Sequence, residues 1–487
     1  MSVRVSRRDA LQFMGYGALT LGHPALMAAC AGGALASPQA SYTFDPERPW
    51  WVQPPFEPVS EENEAFDLKV EGEIPRELEG LFVRNGSNPK RGDRGHFFVG
   101  DGMLHGVRLQ GGKARWYRNR YVRTPLLDRD PSERANPVSN LTDSFSNVSV
   151  IQHAGKLLSL GEVGLPFEIS AQDLSTIGAY DFDGKLDTFM TAHPKLDPRT
   201  GELHMFGYGV AEPYLTYHLV DAAGQLVRSE PIVLPHSVMI HDFQITETCV
   251  VFMDLPVAFD AVAAAVRNEA IPFRWRREYG ARIGIMPRAG GNSDITWIEI
   301  EPCFVFHYWN AYDDAGRIVI EVSEYPYLWI EESTRFDADP ALVRYTIDVA
   351  AKSAKREPLD DRPVEFPHID PRRAGAKHRY GYGMWANTLD FSQPVGEIGF
   401  IKYDRERDSA TVRQFDYGFV PGEPLFIPRS ESAAEDEGYL LSYVYELGAQ
   451  RSSLDILDAR AIDARALASI KLPWRVPVGL HSTWISG

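Results

Sequence analysis

Tight-turn sequences recur along most of the chain, and this recurrence constrains the fold more than any other feature. The turns are at residues 110–112, 153–155, 197–201, 221–224, 313–316 and 407–409. Short runs rich in Val, Ile, Leu, Phe and Tyr flank each of them, as in residues 317–322. Short apolar runs joined by Gly- or Asp-containing turns indicate an all-β fold. A series this long favours a closed radial architecture over a small sandwich, although the turns alone leave the number of blades open.

One segment has a helical pattern instead. Between residues 256 and 268, apolar Val257, Phe259, Val262 and Val266 recur at a spacing that favours a helix. We expect this helix to pack against the body of the protein. A lid or an element that dips into a membrane is the alternative.

The N-terminal segment resembles a bacterial twin-arginine export signal. Arg7-Arg8 precedes an apolar stretch at 13–36 that ends in small residues. We therefore predict a signal segment at 1–40, a single domain at 41–487, and a periplasmic location. Residues 26–30 loosely resemble a lipobox, so a membrane anchor through Cys30 is a further hypothesis, and a cytoplasmic protein is the alternative.

Composition excludes several classes of protein. The 487 residues carry a formal net charge of −17, which repels phosphate backbones and argues against a nucleic-acid partner. The three cysteines, Cys30, Cys249 and Cys303, form no C-x-x-C pair, which argues against a disulfide framework or a thiolate zinc site. The chain lacks the Rossmann glycine fingerprint, the Walker A loop and the G-x-S-x-G motif of hydrolases.

Four of the thirteen histidines have distinctive surroundings. His193, His241, His307 and His481 lie at predicted strand ends or turns, among apolar and aromatic residues. Any one of them alone is more typical of a core histidine than of a metal ligand, and they are far apart in sequence. A propeller can bring such residues together, because strands from every blade line one axis.

These four contexts, in this order, resemble the carotenoid cleavage oxygenase family. Further motifs of that family are similar to residues 80–86, 100–106, 365–367 and 423–429, so the resemblance extends over most of 44–484. It implies a seven-bladed β-propeller with iron on the central axis and a dome of loops and helix over one face. It also implies one Fe²⁺ per chain, held by His193, His241, His307 and His481, with Glu162, Glu365 and Glu423 orienting the imidazole rings.

The implied activity is that of a non-haem Fe(II) dioxygenase. Such an enzyme cleaves one C=C bond of a carotenoid or apocarotenoid with O2 and yields aldehyde or ketone products. The expected partners are a small hydrophobic polyene and O2, with peripheral membrane contact as a route for substrate access. The sequence does not determine the oligomeric state.

Five positions concern the substrate cavity. We expect Phe98, Tyr121 and Phe306 to line it. Val148 stands where the family often has threonine, so an apolar contact beside one coordination position is kept while the hydroxyl is lost. Gly161 stands where stilbene-cleaving relatives carry a lysine that engages a substrate phenol, and glycine cannot do so.

Two other functions stay open at this point. The first is cleavage of a stilbene or phenylpropanoid olefin, as in lignostilbene dioxygenases, against which Gly161 argues. The second is a polyene isomerase or polyene-binding propeller that cleaves nothing. The complete set of four histidines argues against loss of the metal but not against a different reaction at it.

Overall fold

Seven antiparallel sheets form the blades of a β-propeller in the computed structural model. The structure describes residues 44–130, 139–392 and 394–487, all within the unit Ser41–Gly487. The twin-arginine segment and Cys30 lie outside the described residues. Blades are numbered here from the N-terminus.

The first three blades take up the N-terminal half and the last strand of the chain. Blade 1 contains Glu64–Phe66, Gly80–Arg84, Met103–Gln110, Lys113–Tyr121 and Ser482–Ser486. Blade 2 contains Ser149–His153, Lys156–Leu160, Phe167–Ile169 and Thr176–Ala179. Blade 3 contains Lys195–Leu196, Leu203–Tyr208, Leu215–Val220 and Leu226–Ile232.

The remaining four blades follow in chain order, with one early strand added to the last. Blade 4 contains Gln244–Ile245, Cys249–Asp254, Ala281–Pro287 and Thr296–Ile300. Blade 5 contains Phe304–Asp314, Arg317–Tyr325, Ala341–Asp348 and Ser353–Asp360. Blade 6 contains Val364–His368, Tyr380–Ala386, Ile398–Asp404 and Ser409–Gln414. Blade 7 contains Val70–Gly72, Phe419–Pro421, Leu425–Pro428, Gly438–Glu446, Arg451–Asp458 and Ala468–Lys471.

Four short 3-10 helices also occur among the described residues, at Trp50–Val52, Arg277–Tyr279, Asn292–Asp294 and Pro371–Arg373. Among the described residues, no helix has the length and apolar character needed to span a bilayer.

Burial within a blade follows distance from the axis. In blade 5 the first strand, Phe304–Asp314, is buried over nine consecutive residues, whereas the fourth, Ser353–Asp360, is mostly exposed. The first strand has packed side chains on both faces, so most of its buried residues are apolar or aromatic. Outer strands face solvent and carry charged residues such as Lys355 and Arg356.

The two ends of the chain close the ring. The last strand, Ser482–Ser486, pairs with Gly80–Arg84 in blade 1, and the early strand Val70–Gly72 pairs with Ala468–Lys471 in blade 7. Two separate pairings between distant segments therefore join the first blade to the last. Full closure leaves no long unpaired sheet edge at the junction.

The predicted turns are confirmed. Each of the six turn sequences joins consecutive strands of one blade. At the turn of blade 2, Ala154 and Gly155 both have positive φ, 45° and 79°, as a two-residue hairpin requires.

The predicted helix at 256–268 is wrong in extent. Val257–Phe259 is a strand that pairs with Phe273–Trp275, and the helix covers Ala261–Ala265 only. The Asp260 carboxylate accepts hydrogen bonds from the backbone N–H of the second and third helical residues, both at 2.9 Å, and so begins the helix after the strand. The segment is a hairpin with one helical turn at its tip.

Candidate metal centre

Four histidines from four different blades lie close together in the propeller. His193 and His241 shortly precede the first strands of blades 3 and 4. His307 lies within the first strand of blade 5, and His481 directly precedes the closing strand of blade 1. The side chains are largely enclosed, with exposed fractions of 10% for His241, 11% for His307 and 13% for His481.

The ring nitrogens face one another at close range. Nε2 of His193 lies 2.9 Å from Nε2 of His241, and Nε2 of His307 lies 3.2 Å from Nε2 of His481. One ligand nitrogen from each ring lies within 4.8 Å of all the others. Two nitrogens held about 2.1 Å from one ion at a right angle are roughly 3 Å apart. The spacings therefore suit adjacent ligands of a single metal ion.

Three glutamates orient three of the rings. Each carboxylate accepts a hydrogen bond from Nδ1, in the pairs Glu162 with His241 at 3.1 Å, Glu365 with His307 at 2.6 Å and Glu423 with His481 at 2.8 Å. A proton on Nδ1 leaves the Nε2 lone pair pointing at the other histidines. Converging lone pairs repel one another unless a cation lies between them, so the donor set fits a resident metal.

Burial favours the neutral, metal-binding form of two of the four histidines, whereas Glu162 opposes burial at His241 and raises its pKa. Burial, reinforced by the neighbouring imidazoles, holds the pKa of His193 and of His307 well below the usual range. Burial also raises the pKa of Glu365 to about 7. Burial acts in the same direction on Glu423, but the adjacent His368 and the ligand beside it outweigh this and lower the pKa of Glu423. Neutral imidazoles ligate a metal without first losing a proton.

The seven residues come from seven blades. Blades 1, 3, 4 and 5 supply the histidines, and blades 2, 6 and 7 supply Glu162, Glu365 and Glu423. Each blade therefore places one metal-centre residue near the axis. The resemblance named all seven, but the arrangement of one residue per blade is visible only in the folded ring.

Asp242, which the sequence did not single out, connects the ligand-bearing segments. Its Oδ1 lies 2.6 Å from Nζ of Lys195, two residues after the first ligand. Its Oδ2 accepts a hydrogen bond at 3.1 Å from the backbone N–H of Tyr308, which directly follows the third ligand. Asp242 itself directly follows the second ligand, so one buried carboxylate contacts the segments that carry three of the four histidines.

Two further residues support the glutamates and were also missed. The Tyr208 hydroxyl donates to Glu162 at 2.7 Å, and Nε2 of His368 lies 2.9 Å from Glu423. His368 follows the 365–367 motif directly, and that position was the available signal. Nothing in the sequence near Tyr208 indicates its contact, because it depends on the packing of blade 3 against blade 2.

An apolar cavity of about 500 Å³ opens onto the centre. His241, His307 and His481 form part of its wall. Most of the remaining wall is aromatic or aliphatic, with residues Phe97, Phe145, Phe189, Ile271, Phe336, Met384 and Phe391 among them. The Val257–Phe259 hairpin contributes Phe259 and the loop at 270–273, so this hairpin covers part of the cavity.

The five predicted cavity positions divide into two groups. Phe98, Val148 and Phe306 line the cavity, and the ring centroid of Phe306 is 5.3 Å from that of His241. Tyr121 does not line it. Its side chain packs with Met103 and its hydroxyl hydrogen-bonds Asn88 at 2.8 Å, because it belongs to the outer side of blade 1.

Gly161 is also absent from the cavity wall, for a steric reason. A Cβ at this position would lie 2.8 Å from Oγ of Ser144 and 3.0 Å from the backbone N of Ser146. The Ser144 hydroxyl accepts a hydrogen bond from that same N–H. The 144–146 segment thus occupies the space in which a side chain at 161 would begin.

Fold and site together define a seven-bladed propeller metalloprotein with an apolar cavity at a four-histidine centre. Comparison with known proteins extends this result. The model of the retinal pigment epithelial membrane protein family (RPE65) matches residues 56–486. A carotenoid cleavage oxygenase of Mycobacterium tuberculosis is 36% identical over 88% of this chain and 95% of its own. The chain therefore belongs to the RPE65 family of carotenoid cleavage oxygenases.

Two solved structures are similar over nearly the whole chain. Cobalt-substituted apocarotenoid oxygenase of Synechocystis has a TM-score of 0.80 and 27% identity, covering 91% of this chain and 99% of that one. Lignostilbene dioxygenase of Pseudomonas brassicacearum has a TM-score of 0.80 and 28% identity, covering 92% of this chain and 100% of that one. The likeness confirms the predicted all-β propeller.

Proposed function

We propose that this protein is a non-haem Fe(II) dioxygenase that cleaves one C=C bond of a carotenoid or apocarotenoid with O2, giving two carbonyl products. The observation that carries the proposal is the opening of the four-histidine centre onto an apolar cavity. Family membership and the names of the relatives support the same reaction class.

The metal follows from the donor set. Four neutral imidazoles suit Fe(II), and no thiolate is among the ligands. Imidazole also binds zinc, copper and nickel, so the assignment of Fe²⁺ rests on family membership as well as on chemistry. Bound iron would supply O2 activation beside the olefin. Metal analysis of protein purified after expression with added iron tests the assignment, and a stoichiometric zinc content without iron would contradict it.

Side chains of the protein bind the substrate and orient the imidazole rings. Phe98, Val148 and Phe306 offer apolar and π contacts to a conjugated chain and exclude water from it. The glutamates hold three imidazoles in the Nδ1–H tautomer, which keeps Nε2 directed at the metal position. No side-chain acid or base is required at the scissile bond, so the apolar wall is compatible with the reaction.

A carotenoid-type substrate is favoured over a hydroxystilbene by the surroundings of Gly161. The 144–146 segment fills the space beside Gly161, so position 161 directs no cationic side chain at a phenol. Lignostilbene dioxygenase of Pseudomonas brassicacearum has the same fold at similar identity, so fold alone does not separate the two substrate classes.

The test is product analysis by chromatography and mass spectrometry. Iron-loaded protein is incubated with an apocarotenal in air, with an anaerobic sample and His241→Ala protein as controls. Two shorter carbonyl products that appear only in air and only with intact protein are expected. An isomer of unchanged mass would support a polyene isomerase instead, and conversion of a hydroxystilbene alone would support the lignostilbene-type reaction.

We further propose export by the twin-arginine route and contact with a lipid surface. Export is supported by the Arg7-Arg8 motif, and fractionation of cells with and without Arg7→Lys/Arg8→Lys tests it. Lipid contact is supported by Val262 on the helix and Val266 directly after it, which are 56% and 76% exposed and lie near Phe259 of the cavity wall. Val262→Ser/Val266→Ser protein should co-sediment less with phosphatidylcholine vesicles, and unchanged sedimentation would refute this contact.

A further inference from the structure

One charged side chain lines the cavity away from the metal centre. The polar residues of the described wall are otherwise histidines, glutamates and tyrosines at or beside the centre. Arg94 is the exception, with a side chain that is only 4% exposed. A guanidinium in an apolar wall loses its hydration and needs polar partners in return.

The partners that the protein supplies do not satisfy this guanidinium. One terminal nitrogen lies 3.4 Å from Oδ1 of Asp101, at the long end of hydrogen-bond range, and the guanidinium lies 5.4 Å from the ring centroid of Phe145. Nε is buried with no hydrogen-bond partner. Arginine donates through five N–H groups, and the other terminal nitrogen, Nη1, makes no hydrogen bond with the described residues and is not fully buried, so Arg94 retains donor capacity at the cavity wall.

The charge of the pair indicates which ligand suits that capacity. Asp101 is 1% exposed and accepts a hydrogen bond at 2.8 Å from the backbone N–H of Lys90, so it is held beside Arg94. The carboxylate already offsets the positive charge of Arg94. A second carboxylate from a ligand would gain little and would crowd the first one. A neutral oxygen can accept a hydrogen bond from the free N–H without adding charge.

We propose that Arg94 binds the carbonyl or hydroxyl oxygen at one end of the olefin substrate, and so selects oxygenated substrates and sets which double bond reaches the metal centre. This inference rests on the proposed function. Arg94 adds a polar anchor to that function. The other contacts of the cavity wall are apolar, and apolar contacts do not fix which double bond of a polyene lies at the metal centre.

The test compares two substrates of equal length. One is an apocarotenal, and the other is the corresponding hydrocarbon with a methyl group in place of the aldehyde. A hydrogen bond to a charged donor predicts a roughly 10- to 100-fold preference of the wild-type protein for the aldehyde in kcat/KM. Arg94→Met should remove most of this preference and spread cleavage over more than one double bond.

Two further variants keep the test interpretable. Arg94→Met leaves Asp101 buried without its cation, so Arg94→Met/Asp101→Asn removes the carboxylate charge as well and carries the test if the single variant does not fold. Arg91→Met is the matched control, because Arg91 is three residues away and 55% exposed in its side chain. A double variant that keeps the aldehyde preference and a single cleavage site would overturn the proposal.

A binding measurement separates this proposal from the proposed function. Trp50 lines the cavity, so quenching of tryptophan fluorescence reports ligand entry even where no turnover occurs. Tighter binding of the aldehyde than of the hydrocarbon, lost in the Arg94 variants, would support the anchor even if neither is cleaved. Equal binding of the two by the wild-type protein would overturn it. The pair 4-hydroxystilbene and stilbene, measured in the same way, shows whether the anchored oxygen belongs to a phenol instead.

Discussion

Replacing Glu423 with Gln is the sharpest test of how the metal centre is held. The carboxylate is 3% exposed, accepts hydrogen bonds from two donors and contacts one further ring nitrogen. Oε1 lies 2.8 Å from Nδ1 of His481 and 2.9 Å from Nε2 of His368, and Oε2 accepts from the backbone N–H of Ser482. A glutamine has one oxygen acceptor. If its amide NH2 faces Ser482, the backbone N–H of Ser482 has no acceptor. If the NH2 faces the two imidazoles, Nδ1–H of His481 has no acceptor.

The magnitude follows from these contacts. A buried donor left without an acceptor costs about 1–3 kcal/mol of folding free energy. The neutral amide also polarises His481 less than the carboxylate does, and loss of such a partner weakens metal affinity roughly 10- to 100-fold. Glu423→Gln should therefore bind Fe²⁺ more weakly by that factor and unfold at lower denaturant concentration when metal-free.

Glu162→Gln provides a graded comparison. Oε1 of Glu162 accepts from both His241 and Tyr208, whereas its Oε2 has no hydrogen-bond partner by distance and angle. An amide can keep the oxygen at Oε1 and place NH2 at the other position, so the loss of affinity should be smaller. Glu301→Gln, on an exposed carboxylate, should bind iron as the wild-type protein does.

The assay is anaerobic competition for Fe²⁺ with a chromogenic chelator, alongside urea unfolding of the metal-free proteins. The expected order of dissociation constants is Glu423→Gln above Glu162→Gln above Glu301→Gln. A Glu423→Gln protein with wild-type iron affinity, or one no weaker than Glu162→Gln, would refute the reasoning from donor geometry.

Three other outcomes are expected. His241→Ala should lose bound iron and all turnover, and a fully active variant with a full iron content would end its assignment as a ligand. Gly161→Ala should lower the free energy of unfolding by about 1–3 kcal/mol in thermal melts, because its Cβ would lie 2.8 Å from Oγ of Ser144, and an unchanged melting temperature would contradict this. Burial lowers the pKa of His218 to about 4, below its unfolded value near 6.5, so the neutral form stabilises the fold above pH 6.5 and this contribution is lost as pH falls towards 4. The full loss is roughly 3 kcal/mol of folding free energy. His218→Asn should therefore show a shallower decline of stability between pH 6.5 and pH 4. A decline equal to that of the wild-type protein would show that other groups dominate.

Local chemistry made the strand and turn pattern readable from the sequence. Turns such as 153–155 depend on backbone preferences of two or three residues, and the structure confirms them. The helix at 256–268 was overestimated because its first residues pair with Phe273–Trp275, a contact that apolar spacing along the chain does not reveal. The propeller and its family were recognised from several motifs in order, not from periodicity.

The sequence was a poorer guide to which side chains face the cavity. Tyr121 and Phe98 looked equally suitable for the cavity, yet only Phe98 lines it. Phe98 lies in a turn, whereas Tyr121 ends the strand Lys113–Tyr121. Which of the two reaches the cavity depends on how these segments pack in the folded ring, and aromatic content alone does not reveal it.

The sequence by itself therefore determined the all-β character, the hairpin turns and, through family motifs, the identity of the histidines and glutamates. The tertiary structure alone decided how they meet. His193 and His481 are far apart along the chain, and they come together only because Ser482–Ser486 pairs with Gly80–Arg84 and closes the ring. The folded ring also places Asp242 between three ligand segments and Arg94 in the cavity wall. These contacts follow from packing between blades, which short-range preferences do not encode.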